Sequence, residues 1–182
     1  MSIDPYRLPL EEGETAWLGL GSNLGDSAAA VRAAASRLLA ATASRPAAAS
    51  SLYRTSPVGP GLRGPFINAV LGLRCSLSPR DLLRLCRRIE AELGRDRCAG
   101  PDRPIDIDIL LLGARVIETA DLTVPHPRMH SRRFVLEPLA QAAPDIIHPL
   151  FARSVSELLT TLEDGSAVTR LNETLLATAA DR

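Results

Sequence analysis

The chain has 182 residues with 21 basic and 21 acidic side chains, so its formal net charge is zero. All 21 basic residues are arginine, and the lack of lysine excludes a Walker-type P-loop, a protein-kinase β3 lysine and Schiff-base catalysis. The neutral charge argues against binding to nucleic acid or an anionic membrane, and no run of apolar residues is long enough to predict a transmembrane helix.

The first predicted elements are a leader, a strand and a helix. Residues 1–13 contain acids and prolines and predict an irregular leader. The apolar run over residues 15–20 predicts the first strand. A helix follows to about Ala43, and either Asp26 or Ser27 can cap its N-terminus.

Two strands and a second helix come next. Strands are predicted over residues 50–55 and 66–74, separated by a loop rich in glycine and proline. Strand alternation in the later segment places these residues on one face: Phe66, Asn68, Val70 and Gly72. Ser78 as N-cap and Pro79 at the first helical position begin a helix that ends at Gly94.

The last predicted elements begin with the most apolar strand of the chain, residues 105–112. After a turn, residues 116–117 are predicted to pair back onto that strand as a hairpin. Helices are predicted over about 131–142 and 155–162, followed by a tail of small polar residues.

The order of the core elements is β-α-β-β-α-β, which is typical of the ferredoxin-like, split βαβ arrangement. This order predicts an α+β fold in which both helices cover one face of an antiparallel sheet. We therefore expect a ferredoxin-like two-layer sandwich with additional C-terminal helices.

Two acids, Asp106 and Asp108, interrupt the apolar strand 105–112. Residues two apart in a strand share a face and lie about 6.6 Å apart, so both carboxylates point the same way. Such a pair is stabilised by cations, and Mg²⁺ prefers carboxylate oxygens beside phosphates. The alternative is a solvated strand face whose acids pair with arginine.

Arginines are concentrated just before this acidic strand. Arg95, Arg97 and Arg103 lie in the loop 95–104, while the arginines between Ser78 and Gly94 are expected on a solvated helix face. Arginine forks beside a metal-binding pair suit the transfer of a charged phosphate group. An ordinary surface loop is the alternative, because several acids are also nearby.

Two further motifs are weaker. Residues 19–25 follow a strand and precede a helix, but their spacing is G-x-G-x-x-x-G and no acid follows at the distance that a dinucleotide site requires. We interpret residues 21–25 as a strand-to-helix turn. Prolines flank His126, which excludes a helical zinc motif with His130, and we expect His130 and His148 to be surface residues in turns. Cys86 is expected to be packed rather than nucleophilic.

Six motifs occur together and in order. They are residues 18–26 (LGLGSNLGD), 53–57 (YRTSP), 66–70 (FINAV), 103–110 (RPIDIDIL), 122–127 (LTVPHP) and 132–139 (RRFVLEPL). Over about residues 15–150 the chain thereby resembles the 6-hydroxymethyl-7,8-dihydropterin pyrophosphokinase family of folate biosynthesis.

The resemblance implies an activity and a set of partners. It implies transfer of pyrophosphate from ATP to the hydroxymethyl oxygen of the pterin, with release of AMP and with two Mg²⁺ ions as cofactors. Residues 14–150 would form the pyrophosphokinase domain, and residues 151–182 would form a helical extension and tail. We expect a cytoplasmic monomer that acts on small molecules, without nucleic-acid or membrane partners.

The resemblance also implies roles for individual residues. Asp106 and Asp108 would hold the metal ions, and they would act in catalysis with Arg95, Arg97 and Arg103. The pterin would be bound by five residues: Thr55, Val58, Phe66, Asn68 and Phe134. ATP would be contacted by seven: Glu90, Arg97, Arg103, Ile109, Thr123, His126 and Arg132. Asp106 is also our candidate acceptor for the proton of the pterin hydroxyl.

Two other functional classes compete with this interpretation. The D-x-D spacing of Asp106 and Asp108 also occurs in sugar-nucleotide transferases, which need a larger doubly wound domain than 182 residues supply. A ferredoxin-like regulatory module that binds a small ligand would explain the fold. It would not explain two acids on one strand beside the loop arginines.

Overall fold

The computed structural model of the protein describes residues 4–57, 61–62, 64–96, 98 and 100–176. Two predicted site residues, Val58 and Arg97, lie outside the described residues.

An antiparallel sheet forms the centre of the molecule. In chain order the strands are β1 Ala16–Ser22, β2 Pro46–Ala49, β3 Ser51–Thr55, β4 Phe66–Leu73, β5 Asp106–Leu112, β6 Ile117–Glu118, β7 Thr123–Val124, β8 Ile147–His148, β9 Arg153–Ser154 and β10 Val168–Thr174. The main sheet has the order β10-β3-β4-β1-β5, and β2 also pairs with β4. The short strands form two separate pairs, β6 with β7 and β8 with β9.

The first two helices begin where capping side chains predict, whereas the third begins at Arg133, two residues later than predicted and without a side-chain cap. They are α1 Ser27–Thr42, α2 Pro79–Glu92, α3 Arg133–Ala142 and α4 Val155–Thr160, with a short 3-10 helix at Met129–Ser131. Asp26 caps α1 by accepting from the backbone N–H of Ala29, and Ser78 caps α2 by accepting from that of Asp81. None of the helices in the described part of the chain has the length and apolar character needed to cross a membrane.

Helices cover both faces of the sheet. Helices α1 and α2 pack on the face that carries Leu18 and Leu71, while α3 and α4 pack on the face that carries Trp17 and Val70. The predicted two-layer sandwich is therefore corrected to three layers. The physical reason is that both faces of β1 and β4 are apolar, so each needs a cover.

Several local predictions are corrected by pairing between distant segments. Strand β10 forms in the tail predicted to be irregular, because its backbone pairs with β3, and β2 forms by pairing with β4. Strand β1 continues to Ser22, so the turn begins later than predicted. Ile117 pairs with Val124 of β7 rather than back onto β5.

A glycine is required opposite the chain's single tryptophan. Trp17 and Gly72 are direct neighbours across β1 and β4, and a Cβ on Gly72 would lie 2.8 Å from the indole ring. We expect Gly72→Ala to destabilise the protein by about 1–3 kcal/mol, because the buried ring must move. Urea unfolding followed by Trp17 fluorescence measures this change. Gly165→Ala, which meets no atom within 4 Å, is the control; equal stability of the two variants would contradict the prediction.

Candidate active site

Two cavities meet at the acidic strand β5. The sheet cavity, about 180 Å³, lies over β1 and β4 on the sheet face that α3 also covers. The helix cavity, about 350 Å³, lies between α2 and the β6–β7 hairpin. Asp106, Asp108 and His126 line both cavities, so these three side chains form the seam between them.

The two acids occupy the positions that strand alternation predicts. Ile105, Ile107 and Ile109 belong to the core beneath α1 and α2, and the two carboxylates point to the other face. Burial, reinforced by the charge of Asp106, raises the pKa of Asp108 from 3.8 to about 6. A carboxylate in such surroundings favours a bound cation.

Arginines neutralise Asp106 in preference to Asp108. Nη1 of Arg103 lies 2.8 Å from one Asp106 oxygen, and Nη2 of Arg95 lies 3.6 Å from the other. Nε and Nη1 of Arg95 and Nε of Arg103 are buried and have no hydrogen-bond acceptor within the described residues. Unsatisfied guanidinium donors beside an acid pair are suited to an incoming polyanion such as a phosphate chain.

The sheet cavity combines aromatic and polar side chains. Phe66 and Phe134 line it, together with Thr55 and Asn68. The Asn68 amide donates to Thr55 Oγ1 at 2.8 Å, which fixes the orientation of the amide. The described residues predicted to bind the pterin are thereby brought together. Arg103 also lies over the Phe66 ring, 5.2 Å from its centroid.

Two glycines form the floor of this cavity, a role that the sequence pattern did not predict. Gly21 lies between Asn68 and Asp106 in the sheet, and Gly19 lies between Val70 and Asp108. A Cβ on Gly21 would lie 2.7 Å from the Asn68 side-chain oxygen. The glycines therefore serve the site from within β1 and not as a turn. Their i, i+2 spacing after an apolar run was the available signal.

The helix cavity collects four of the residues predicted to contact ATP: Glu90, Ile109, Thr123 and His126. Glu90 is 2 % exposed and its Oε1 accepts from the backbone N–H of Ile107 at 2.9 Å, so it joins α2 to the edge of β5. Arg132 differs from this group. It lines the sheet cavity, 5.4 Å from the centroid of the Phe134 ring.

His126 is a neutral side chain in this site. Burial, followed by the charges of Arg132 and Arg128, lowers its pKa from 6.5 to about 4. Its Nδ1 accepts from the backbone N–H of Arg128 at 3.2 Å, which leaves Nε2 as the N–H donor. At neutral pH His126 can therefore donate a hydrogen bond to a substrate oxygen without carrying charge.

Two further residues near the seam were not predicted from the sequence. The Asn23 side-chain oxygen accepts from the backbone N–H of Arg103 at 2.7 Å, which fixes the end of the loop 95–104 against the end of β1. Arg128 lines the sheet cavity. Arginines on either side of His130 were the available signal for a second basic cluster.

The other histidines lie elsewhere. His130 and His148 pack around Phe151, with His148 only 1 % exposed, so the prediction that His148 is a surface residue was wrong. Cys86 is packed as predicted, and burial raises the pKa of its thiol.

The donor set at the seam fits Mg²⁺ bound jointly with a substrate. Within the described residues there is no cluster of three or more histidine, cysteine or acidic side chains that could hold a metal ion alone. Asp106 and Asp108 offer two carboxylates. Mg²⁺ commonly takes one or two carboxylates and completes its octahedron with water and phosphate oxygens.

Several known proteins are similar to this chain in sequence. The family model described as 7,8-dihydro-6-hydroxymethylpterin-pyrophosphokinase matches residues 17–144. The 2-amino-4-hydroxy-6-hydroxymethyldihydropteridine pyrophosphokinase of Bacillus subtilis is 45% identical over 128 residues, which is 69% of this chain and 76% of that relative. The protein of the same name from Methylorubrum extorquens is 41% identical over 158 residues, covering 86% of this chain and 98% of the relative.

A solved structure shows the same fold. The Plasmodium falciparum HPPK-DHPS crystal structure with pteroate superposes with a TM-score of 0.64 at 14% identity, over 81% of this chain. The present chain spans 44% of the length of that solved chain.

Proposed function

This chain belongs to the 7,8-dihydro-6-hydroxymethylpterin-pyrophosphokinase family, and we propose that its two cavities hold the two substrates of that family's reaction on either side of one acid pair. The activity is transfer of a pyrophosphoryl group from ATP to 6-hydroxymethyl-7,8-dihydropterin, a step of folate biosynthesis. We assign one substrate to each cavity because Asp106 and Asp108 line both of them. A reaction between two bound substrates needs such a shared seam.

The sheet cavity suits the pterin. Phe66 and Phe134 offer ring faces for stacking, and the Asn68 amide offers both a donor and an acceptor for the edge of the heterocycle. The bond from Asn68 to Thr55 prevents the amide from turning away when the cavity is empty. We expect Val58 to complete this pocket as well, although it lies outside the described residues.

The helix cavity suits the nucleotide. Its wall combines the apolar Ile109 with Thr123, and its inner end opens onto the acid pair, where a phosphate chain would lie. His126 donates a neutral hydrogen bond there, and the buried donors of Arg95 and Arg103 supply positive charge. We place Arg132 on the pterin side of the phosphates because it lines the sheet cavity.

Asp106 and Asp108 are the residues that would hold Mg²⁺, and we propose two ions. When bound, Mg²⁺ neutralises the triphosphate and stabilises charge that develops on the phosphate oxygens. Arg95 and Arg103 form their ion pairs with Asp106, whereas Arg103 acts on Asp108 only at longer range. We therefore propose that a cation on Asp108 competes less with arginine than a cation on Asp106 does.

The loop arginines supply positive charge to the group that is transferred. Arg103 contacts Asp106 and covers Phe66, so it lies where the pterin hydroxymethyl group and the phosphates would meet. Arg95 contacts the other oxygen of Asp106, and its side chain is 12% exposed. We propose that both move partly from Asp106 to the transferred group as charge develops. Arg97, which lies outside the described residues, is expected to contribute positive charge to the same group. Asp106 then accepts the hydroxyl proton.

One incubation tests the proposed function. The protein with ATP, Mg²⁺ and 6-hydroxymethyl-7,8-dihydropterin is expected to yield AMP and the pterin diphosphate in equal amounts, measured by anion-exchange chromatography. Formation of ADP would indicate a simple kinase, and absence of turnover would favour a binding module. Omission of Mg²⁺ is expected to abolish product, since the acid pair alone repels the triphosphate.

Some broader features stay predictions. The strand order β3-β4-β1-β5 supports our assignment of the core to the ferredoxin-like class. We propose that residues 14–150 carry the catalytic domain and that residues 151–182 are an extension of it. Neutral net charge and three free cysteines support a cytoplasmic enzyme with small-molecule partners, and we expect a monomer.

A further inference from the structure

The segment ahead of the family match is bound tightly to the catalytic core. We call residues 4–14 the N-terminal strap. Arg115 donates to the strap carbonyls of Leu8 and Pro9, at 2.9 and 2.6 Å, and to the carboxylate of Glu14 at 2.6 Å. Leu10 is 4 % exposed and joins the core beneath α1 and α2. These contacts give the strap a defined position along the side of the helix cavity.

Tyr6 of the strap joins the two walls of that cavity. Its carbonyl accepts from the backbone N–H of Arg80 in the first turn of α2, at 3.1 Å. Its hydroxyl donates to Asp121 Oδ2, at 2.9 Å, in the loop between β6 and β7. One wall of the helix cavity is α2, and the other includes Asp121 and its neighbours in that loop.

Asp121 is held in one orientation by several groups. Besides Tyr6, the Thr119 hydroxyl donates to its Oδ1 at 3.1 Å, and Nη1 of Arg87 lies 3.9 Å from its Oδ2. Arg87 also donates to the backbone carbonyl of Asp121 at 3.4 Å. The bond from Tyr6 is the main reason that the pKa of Asp121 is lowered. Arg87 and Asp121 both line the cavity, so their contact joins its two walls at the edge that Tyr6 supports.

We propose that Tyr6 is a positioning residue for the nucleotide: it ties Asp121 and the β6–β7 loop to α2 and so fixes the rim of the helix cavity. This inference rests on the proposed function, because it takes the helix cavity as the nucleotide site. The hydroxyl of Tyr6 does not line the cavity, so its effect is exerted through Asp121. The strap, which precedes the family match at residue 17, thereby becomes part of the support of the nucleotide site.

The test is Tyr6→Phe, which removes the bond to Asp121 and keeps the ring and the backbone contacts. We expect KM for ATP to rise by about threefold to tenfold, as one hydrogen bond to a charged group is lost. The values of kcat and of KM for the pterin should stay within about twofold of wild type. Steady-state assays with each substrate varied in turn give these constants, and calorimetry with Mg²⁺ and ATP gives the corresponding change in Kd.

The chain's other tyrosine supplies a matched control. Tyr53 donates its hydroxyl to Gln141 at 3.0 Å and does not line the helix cavity. Tyr53→Phe is expected to leave KM for ATP at the wild-type value. A rise in both KM values together with a lower Tm in Tyr6→Phe would indicate general destabilisation and overturn the proposal. So would an unchanged KM for ATP.

A double-mutant cycle tests the connection to Asp121. If Tyr6 acts through that carboxylate, Tyr6→Phe should change KM for ATP much less in an Asp121→Asn background than in wild type. Independent, multiplicative effects would refute the connection. The proposed function fails separately, if wild-type protein binds no ATP or releases no AMP.

Discussion

Replacement of Asp108 by asparagine is expected to lower kcat/KM by about 10³-fold while stabilising the metal-free protein. We expect this loss because Asp108 is one of the two carboxylates proposed to hold Mg²⁺, and Arg95 and Arg103 form their ion pairs with the other one, Asp106. A 10³-fold loss corresponds to about 4 kcal/mol of transition-state stabilisation, within the range for a metal that neutralises transferring phosphates. Activity is measured by release of AMP at saturating Mg²⁺.

The stability gain follows from the direction of the pKa shift. Burial raises the pKa of Asp108 from 3.8 to about 6, so between these values the folded state binds more protons than the unfolded state. Stability contributed by this group therefore falls as pH rises through that window and stays low at pH 7. The asparagine side chain of the variant carries no charge, so Asp108→Asn should add about 1–3 kcal/mol at pH 7 in EDTA and much less at pH 4.

Asp106→Asn is the matched comparison. Replacing Asp106 removes the carboxylate that Arg103 and Arg95 contact, so we expect the Asp106→Asn variant to be no more stable than wild type at pH 7. Urea unfolding of both variants at pH 4 and pH 7 measures the difference. Equal pH dependence in Asp108→Asn and wild type would contradict the assigned electrostatics. A folded Asp106→Asn variant with full kcat would rule out Asp106 as proton acceptor.

Substitution of Gly21 by alanine is expected to raise KM for the pterin by about 10- to 100-fold with little change in KM for ATP. The new Cβ would lie 2.7 Å from Asn68 Oδ1, which is well inside van der Waals contact. Asn68 must then rotate and lose its bond to Thr55, so its amide no longer faces the substrate edge. Loss of one or two oriented hydrogen bonds corresponds to a change of this size.

The neighbouring glycine provides the control for this prediction. Gly19 lies on the same face of β1, but the three atoms nearest to a Cβ there all belong to the Leu110 side chain, the first at 3.4 Å. Gly19→Ala should therefore have a much smaller effect on KM for the pterin, as measured in parallel steady-state assays. Similar KM values for the two variants would show that Gly21 has no special role beneath Asn68.

Much of the fold could be predicted from local patterns. The capping residues Asp26 and Ser78 start α1 and α2 as predicted, because capping depends only on neighbouring residues. Two strands of the main sheet were missed, β2 and β10, and both lie where pairing with a distant strand supplies the hydrogen bonds. Their own side chains are small or polar, so no hydrophobic period identifies them.

In the candidate site, too, local spacing predicts some features and pairing between distant strands decides the others. The i, i+2 spacing of Asp106 and Asp108 was sufficient to predict one acidic face, because a strand fixes that geometry locally. The spacing of Gly19 and Gly21 places them on one face of β1, but it does not show which residues lie on either side of them. Sheet register alone places Gly21 between Asp106 and Asn68.

The chemistry of this protein follows mainly from its sequence. In a chain without lysine, arginine is the residue that can meet a polyanion with a permanent positive charge, and the six ordered motifs that end with residues 132–139 are sufficient to indicate the family. The environment of each group was decided only by the tertiary structure. Burial is a property of packed elements, so the raised pKa of Asp108, the neutral His126 and the contact of Tyr6 with Asp121 depend on segments far apart in sequence.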